Sequence, residues 1–154
     1  CVHGRGVAQA PAQLLGAALS GRFERERPGL AAMVLAVDPL LLSEARASDA
    51  DAPAVTQLRV LGQAGDVLVA FALRPDDALL AAVVGAAHER EMSAVVLAGR
   101  EPGSGAAHPV TAETDIWITI PHERPARICE LQLLALHALC DAVDLQLLGD
   151  ADLR

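Results

Sequence analysis

Apolar positions in this chain fall into short unbroken blocks, separated by longer stretches in which they recur every three or four residues. Residues 31–37 form one block, bounded by Pro28-Gly29 and Asp38-Pro39. A second runs from Val67 to Phe71 after Gly65-Asp66, a third over 93–98 before Gly99, and a fourth over 115–120 before Pro121. Blocks this short, with no polar alternation, predict strands buried on both faces of a parallel sheet. The chain is expected to hold five, near 1–3, 31–37, 66–72, 93–98 and 115–120. Helical periodicity predicts helices near 7–23, 39–47, 53–61, 75–89 and 123–148, with Pro53 and Pro75 at first-turn positions. Residues 48–53 read as a polar break, and 100–112 as a Gly/Pro-rich loop.

Strands alternating with helices imply a doubly wound α/β fold, a three-layer sandwich around a five-stranded parallel sheet. Ligands of such sheets bind at the carboxyl ends of the strands. The last helix carries Leu131, Leu133, Leu134, Leu136, Leu139, Val143, Leu145, Leu147 and Leu148. These cover more than one face, whereas a surface helix needs one apolar stripe. The surplus predicts burial against another subunit.

A length of 154 residues suits a single domain, 1–154, with a real core. With 53% hydrophobic residues and 2% aromatics, that core must be Ala, Leu and Val. The net charge of −8 argues against direct nucleic-acid binding, which needs a basic face, and against anionic membranes. Cys1, Cys129 and Cys140 form no disulfide framework and fit a reducing cytoplasm. No uninterrupted apolar run reaches 18 residues, so no membrane span is indicated.

Candidate chemistry concentrates in two βα connections. The first is Gly4-Arg5-Gly6-Val7-Ala8, where the glycines fit a tight turn and Arg5 can attract an anion. The second is Ala72-Leu73-Arg74-Pro75-Asp76-Asp77, between a strand and a helix. Backbone N–H groups at such a helix start favour anions. This loop has no Ser, Thr or Gly, and it sets Asp76 and Asp77 where an anion would sit; capping and dipole complementation explain the pair better.

Gly65-Asp66-Val67-Leu68, the six-residue loop and the Ala-rich helix after it resemble the sugar isomerase (SIS) domain. Phe23-Glu24-Arg25-Glu26-Arg27-Pro28, Arg127-Ile128-Cys129-Glu130 and Cys140-Asp141-Ala142-Val143-Asp144 extend the resemblance to the phosphoheptose isomerase group, which includes the DnaA initiator-associating proteins. The family has one or two helices before the first strand, so a helical segment is expected ahead of Cys1.

In the family the first turn reads Gly-Asn-Gly followed by hydroxyl residues, a pattern that Gly4 and Gly6 keep and that Arg5, Val7 and Ala8 leave. The second loop reads Ser-Thr-Ser/Arg-Gly-Asn-Ser, of which Arg74 alone is a known variant. The resemblance implies a zinc-dependent aldose–ketose isomerisation of sedoheptulose 7-phosphate. Its metal ligands come from the positions of Leu14, Ala18, Cys129 and His137, and only His137 matches. No zinc or other cofactor is expected, since zinc needs three or four ligands. Ala126 stands where the isomerases have Asp and the initiator-associating type has Ala.

The resulting reading is a degenerate SIS protein, a homo-oligomer and most simply a tetramer. It leans away from catalysis, binds phosphosugar weakly or not at all, and contacts a DnaA-like partner. The alternative is a phosphoheptose isomerase or phosphosugar sensor. His3, which ends the first strand near the expected cleft, and His88, His108 and His122 read as solvated or hydrogen-bonded, His88 against its own helix's last carbonyls. Trp117 reads as core or interface, and the mixed-charge run 22–27 as a solvated helix end.

Overall fold

The computed structural model describes residues 1–35, 52–100 and 112–149. The elements are β1 (Val2–Gly4), a 3-10 turn (Gly6–Ala8), α1 (Gln9–Ser20), α2 (Pro53–Leu61) and β2 (Val67–Ala72). They continue with α3 (Ala78–Glu89), β3 (Ser93–Gly99), β4 (Ile116–Ile120) and α4 (Pro125–Leu148). The strands form one parallel sheet in the order β1-β2-β3-β4, with Val69 opposite both Val2 and Val95.

Four strands are described where five were expected. The block at 31–37 contributes a parallel bridge from Val34 to Val2, with Val2 N donating to Met33 O at 2.7 Å and Leu35 N to Val2 O at 2.8 Å. Residues 36 and 37 of that block, the helix expected at 39–47 and His108 lie outside the described residues. From β1 the chain therefore turns to one flank at Val34 and later returns to the other flank as β2. The strand order reverses between β1 and β2.

The unbroken apolar blocks of β2 and β3 are explained by two cores, whereas β4, last in the strand order, leaves Ile116 and Ile118 exposed and is not buried on both faces as expected. Leu68, Ala70 and Ala72 of β2 face one way and pack with Val55 and Leu58 of α2 and Val83 and Val84 of α3. Val69 and Phe71 face the other way and pack with Ala12 and Leu15 of α1 and Leu136 and Cys140 of α4. Both faces of the strand leave water, so alternation has no purpose. Phe71, 1% exposed, contributes about 2–3 kcal/mol by its burial.

Helix boundaries moved where caps decide them. Pro53 opens α2 as expected. Pro75 does not open α3: Asp77 is the N-cap, its Oδ1 accepting from Leu79 N at 2.8 Å, and Pro75 stays in the loop. α1 ends at Ser20 instead of continuing to 23, with Gly21 as its C-cap.

α4 buries Ile128, Gln132, Leu136, Cys140 and Asp144, one residue every four. Two of these five are polar. Gln132 Nε2 donates to Ala72 O at 2.8 Å and Leu97 O at 2.9 Å, tying α4 to the ends of β2 and β3. Asp144 pairs with Arg27 Nε at 2.5 Å, with side chains 3% and 1% exposed. The same guanidinium donates to Ala18 O and Leu19 O, satisfying carbonyls at the end of α1. The run 22–27 is thus not simply a solvated end: Arg22–Glu26 is an exposed pair, whereas Arg27 is an anchor.

Leu131, Leu134, Leu145, Leu147 and Leu148 remain exposed on α4. By length and composition this helix is apolar enough to cross a membrane, contrary to the expectation from unbroken runs. Its inward stripe, however, packs on α1 and the sheet.

Candidate functional site

The reversal of strand order places a crevice between the carboxyl ends of β1 and β2, where open α/β sheets bind ligands. A cavity of about 240 Å³ lies there. His3 and Arg5 line it from the first turn, and Leu73, Arg74 and Asp77 from the second loop. Phe71, Ala72 and Leu80 form its floor and wall.

The first turn is shaped by close approach. A Cβ on Gly4 would meet Ala8 O at 2.2 Å, and Gly6 has φ +60°. Both positions therefore require glycine as the backbone folds back into the 3-10 turn and α1. No side chain caps that turn or α1. Arg5 is exposed and forms no ion pair among the described residues.

His3 was expected to be solvated or hydrogen-bonded, and its Nδ1 is neither among the described residues. The residue is 5% exposed, and among the described residues its Nδ1 is buried without a partner. Burial pushes its pKa from 6.5 down to about 4; Asp77 pulls it back up and Arg5 pushes it further down. The ring is neutral at physiological pH. A histidine set among apolar neighbours at a strand end, directly before a glycine turn, was the signal that could have singled it out.

The second loop closes on itself. Arg74 holds Asp76 through two hydrogen bonds, Nε to Oδ1 at 2.8 Å and Nη2 to Oδ2 at 2.6 Å. That pairing holds the exposed Asp76 carboxyl below the usual range. Asp77 caps α3, as its bland reading supposed. Ala72 O accepts from Gln132, which in the sequence reads as a break in the Leu131–Leu139 run although its four-residue spacing from Ile128 and Leu136 marks the buried stripe.

The positions where the family keeps zinc ligands do not offer a metal site. Leu14 and Ala18 on α1 have no donor atoms. Cys129 is half-buried, and burial raises its thiol pKa, the direction opposite to thiolate formation. His137 is exposed and stacks on Phe23, ring centroids 5.3 Å apart, so it is neither in the crevice nor in the core. Among the described residues no three His, Cys, Asp or Glu side chains gather to hold a metal. Zinc therefore does not fit this donor set.

His88 and His122 have structural partners. His88 bonds Asp115, Nε2 to Oδ2 at 2.8 Å, not its own helix's carbonyls. Asp115 also accepts from Ala94 N and Ala112 N, each at 2.8 Å. Burial pushes the Asp115 pKa up, and the hydrogen bonds outweigh it, leaving the carboxyl below its ordinary range. His122 Nδ1 accepts from Arg124 N at 3.0 Å in the turn before α4. Trp117 is half-buried against the α2–α3 core.

Comparison with known proteins assigns the fold to a family. The family model described as "SIS domain" matches residues 1–99. The phosphoheptose isomerase of Methylibium petroleiphilum is 46% identical over 152 residues, 97% of this chain and 74% of that protein. That of Laribacter hongkongensis is 46% identical over 148 residues, covering 95% and 74%. Among solved structures, the phosphoheptose isomerase of Neisseria gonorrhoeae superposes with a TM-score of 0.76 at 35% identity, over 93% of this chain and 74% of that one. The Francisella tularensis phosphoheptose isomerase reaches 0.79 at 29% identity, over the same shares. With its parallel sheet and nearly its whole length matched in this way, the chain belongs to the SIS-domain family and is a homologue of the phosphoheptose isomerases.

Proposed function

We propose that this protein binds a sugar phosphate of the phosphoheptose class in the crevice between β1 and β2, with the anionic end toward Arg5. The observation that carries this reading is an arginine that forms no ion pair among the described residues, on an uncapped turn at the rim of a cavity at the strand-order reversal. Its 46% identity to a protein named phosphoheptose isomerase supports it. Isothermal titration tests it: sedoheptulose 7-phosphate binds, and free sedoheptulose does not. Equal affinity for the two, or none for either, would overturn it.

Turnover is a separate matter. Aldose–ketose isomerisation moves a proton between neighbouring carbons and needs an acid and a base within hydrogen-bond reach. Leu14 and Ala18 supply neither, and His137 is engaged with Phe23. Binding without useful turnover is the reading for this chain. Robust isomerisation of sedoheptulose 7-phosphate by the unmodified protein, with or without added zinc, would return it to the enzymes.

The same substitutions favour a second reading, an oligomeric regulator of the DnaA initiator-associating type working in the cytoplasm. The exposed leucines of α4 support self-association as a dimer of dimers, since an apolar surplus of this kind marks interfaces. The acidic charge suits a basic protein partner. Biolayer interferometry against purified DnaA, with sedimentation to fix the assembly, separates this reading from the first: no DnaA binding and a monomer at micromolar concentration would end it.

A further inference from the structure

His3 is the one group in the crevice that neither packing nor charge explains. A core position that required only volume would hold an aliphatic residue, as Val2 and Val69 beside it do. His3 instead buries an imidazole on β1, at 5% exposure, and leaves its Nδ1 without a hydrogen-bond partner among the described residues. An unpaired buried polar group bears its full desolvation penalty, and in native proteins such groups call for an explanation. The ring also lines the cavity, with Arg5 on its own turn and Asp77 across the crevice.

The chemistry of the ring narrows what would pair with it. A neutral imidazole offers one donor and one acceptor and no charge. An anion is better served by Arg5. A hydroxyl group, which both donates and accepts, matches the imidazole. A cavity of about 240 Å³ holds a small polyol, not an extended ligand.

We propose that the His3 imidazole is the hydrogen-bonding partner of a ligand hydroxyl, and so the residue by which this crevice distinguishes a sugar phosphate from bare phosphate. The proposal rests on the sugar-phosphate reading of the site. It divides recognition between two side chains of one turn: Arg5 takes the charge, and His3 reads the carbon chain.

Titration of the full chain and of two variants with sedoheptulose 7-phosphate and with inorganic phosphate tests it. His3→Ala weakens sedoheptulose 7-phosphate by roughly ten-fold, the scale of one hydrogen bond to a buried partner, and leaves inorganic phosphate unchanged. His3→Asn, which keeps a donor and an acceptor, recovers part of the loss. Because His3 is buried and its variants can unfold, the unaltered chain labelled with 15N-histidine supplies a second readout. Its His3 ring nitrogen signals move on saturation with sedoheptulose 7-phosphate and stay in place with inorganic phosphate. If the unaltered chain binds sedoheptulose 7-phosphate with unmoved His3 signals, or if His3→Ala weakens both ligands equally, the role of His3 is overturned while the sugar-phosphate reading stands. If the unaltered chain binds no sedoheptulose 7-phosphate, both fall.

Discussion

The two rims of the crevice are built on opposite plans. The first turn is fixed by packing: Gly4 lies against Ala8 O, Gly6 takes φ +60°, and His3 is buried beneath them. Its polar valences stay open among the described residues, with Arg5 in no ion pair and the turn uncapped. The second loop is fixed by its own polar bonds, Arg74 to Asp76, Asp77 to Leu79 N, and Ala72 O to Gln132. A ligand finds hydrogen-bonding partners where polar groups are still open. Family resemblance points to the second loop for phosphate, whereas the bonds in this chain leave the free chemistry on the first.

Acid tests the packed rim most strongly. His3 takes up a proton near pH 6.5 in the unfolded chain and only near 4 in the folded one. Between those values the unfolded state binds more protons, so stability falls as pH drops through that window and is unaffected above it. The full loss is about 3 kcal/mol, from roughly 1.4 kcal/mol per pKa unit. Urea denaturation at pH 7.5 and pH 4.5 should show it, and His3→Leu should flatten the slope. An unchanged slope in that variant would assign the acid sensitivity to other groups.

Gly4→Ala comes next. Its Cβ would fall 2.2 Å from a backbone oxygen, and the forced shift should destabilise the fold by about 2 kcal/mol. A melting temperature within a degree of the parent would show that the turn relaxes freely. The matching change on the other rim, Asp77→Ala, removes only a cap and should cost about 1 kcal/mol, while a nearby negative charge disappears and phosphate affinity rises. If affinity fell instead, Asp77 would be a ligand contact and the contrast between the rims would fail.

The smallest stability effects are expected at the two arginines, both exposed. Arg5→Ala and Arg74→Ala should each change folding by less than about 0.5 kcal/mol. They should separate in binding. Arg5→Ala weakens sedoheptulose 7-phosphate several-fold, and Arg74→Ala less, because Arg74 already serves Asp76. A larger loss at Arg74 would put the anion back in the second loop. Restoring family hydroxyls there, with Ala72→Ser, Leu73→Thr, Pro75→Gly and Asp77→Ser together, should raise affinity and make the two rims alike.

Much of the architecture was written locally in the sequence. Blocks such as 93–98 are apolar without interruption because both faces of their strands are covered, and a covered strand needs no partner-specific signal to be legible. Pro53 marked a helix start because its ring presets the backbone and its missing N–H is not needed there. Gly4 and Gly6 announced a tight turn for reasons internal to the turn.

What tertiary structure alone decided is how the polar groups pair. Arg27 looked like one charge in a solvated run, and it became a buried anchor because Asp144, 117 positions later, comes to it. Gln132 looked like a break in a leucine stripe until Ala72 O and Leu97 O arrived on two different strands. His88 found Asp115, and His137 found Phe23 instead of the crevice. Periodicity records which face of an element avoids water, a property of each segment by itself. Whether a buried polar atom is satisfied, as Gln132 Nε2 is, or left open, as His3 Nδ1 is, depends on distant segments meeting, and only the folded chain determines that.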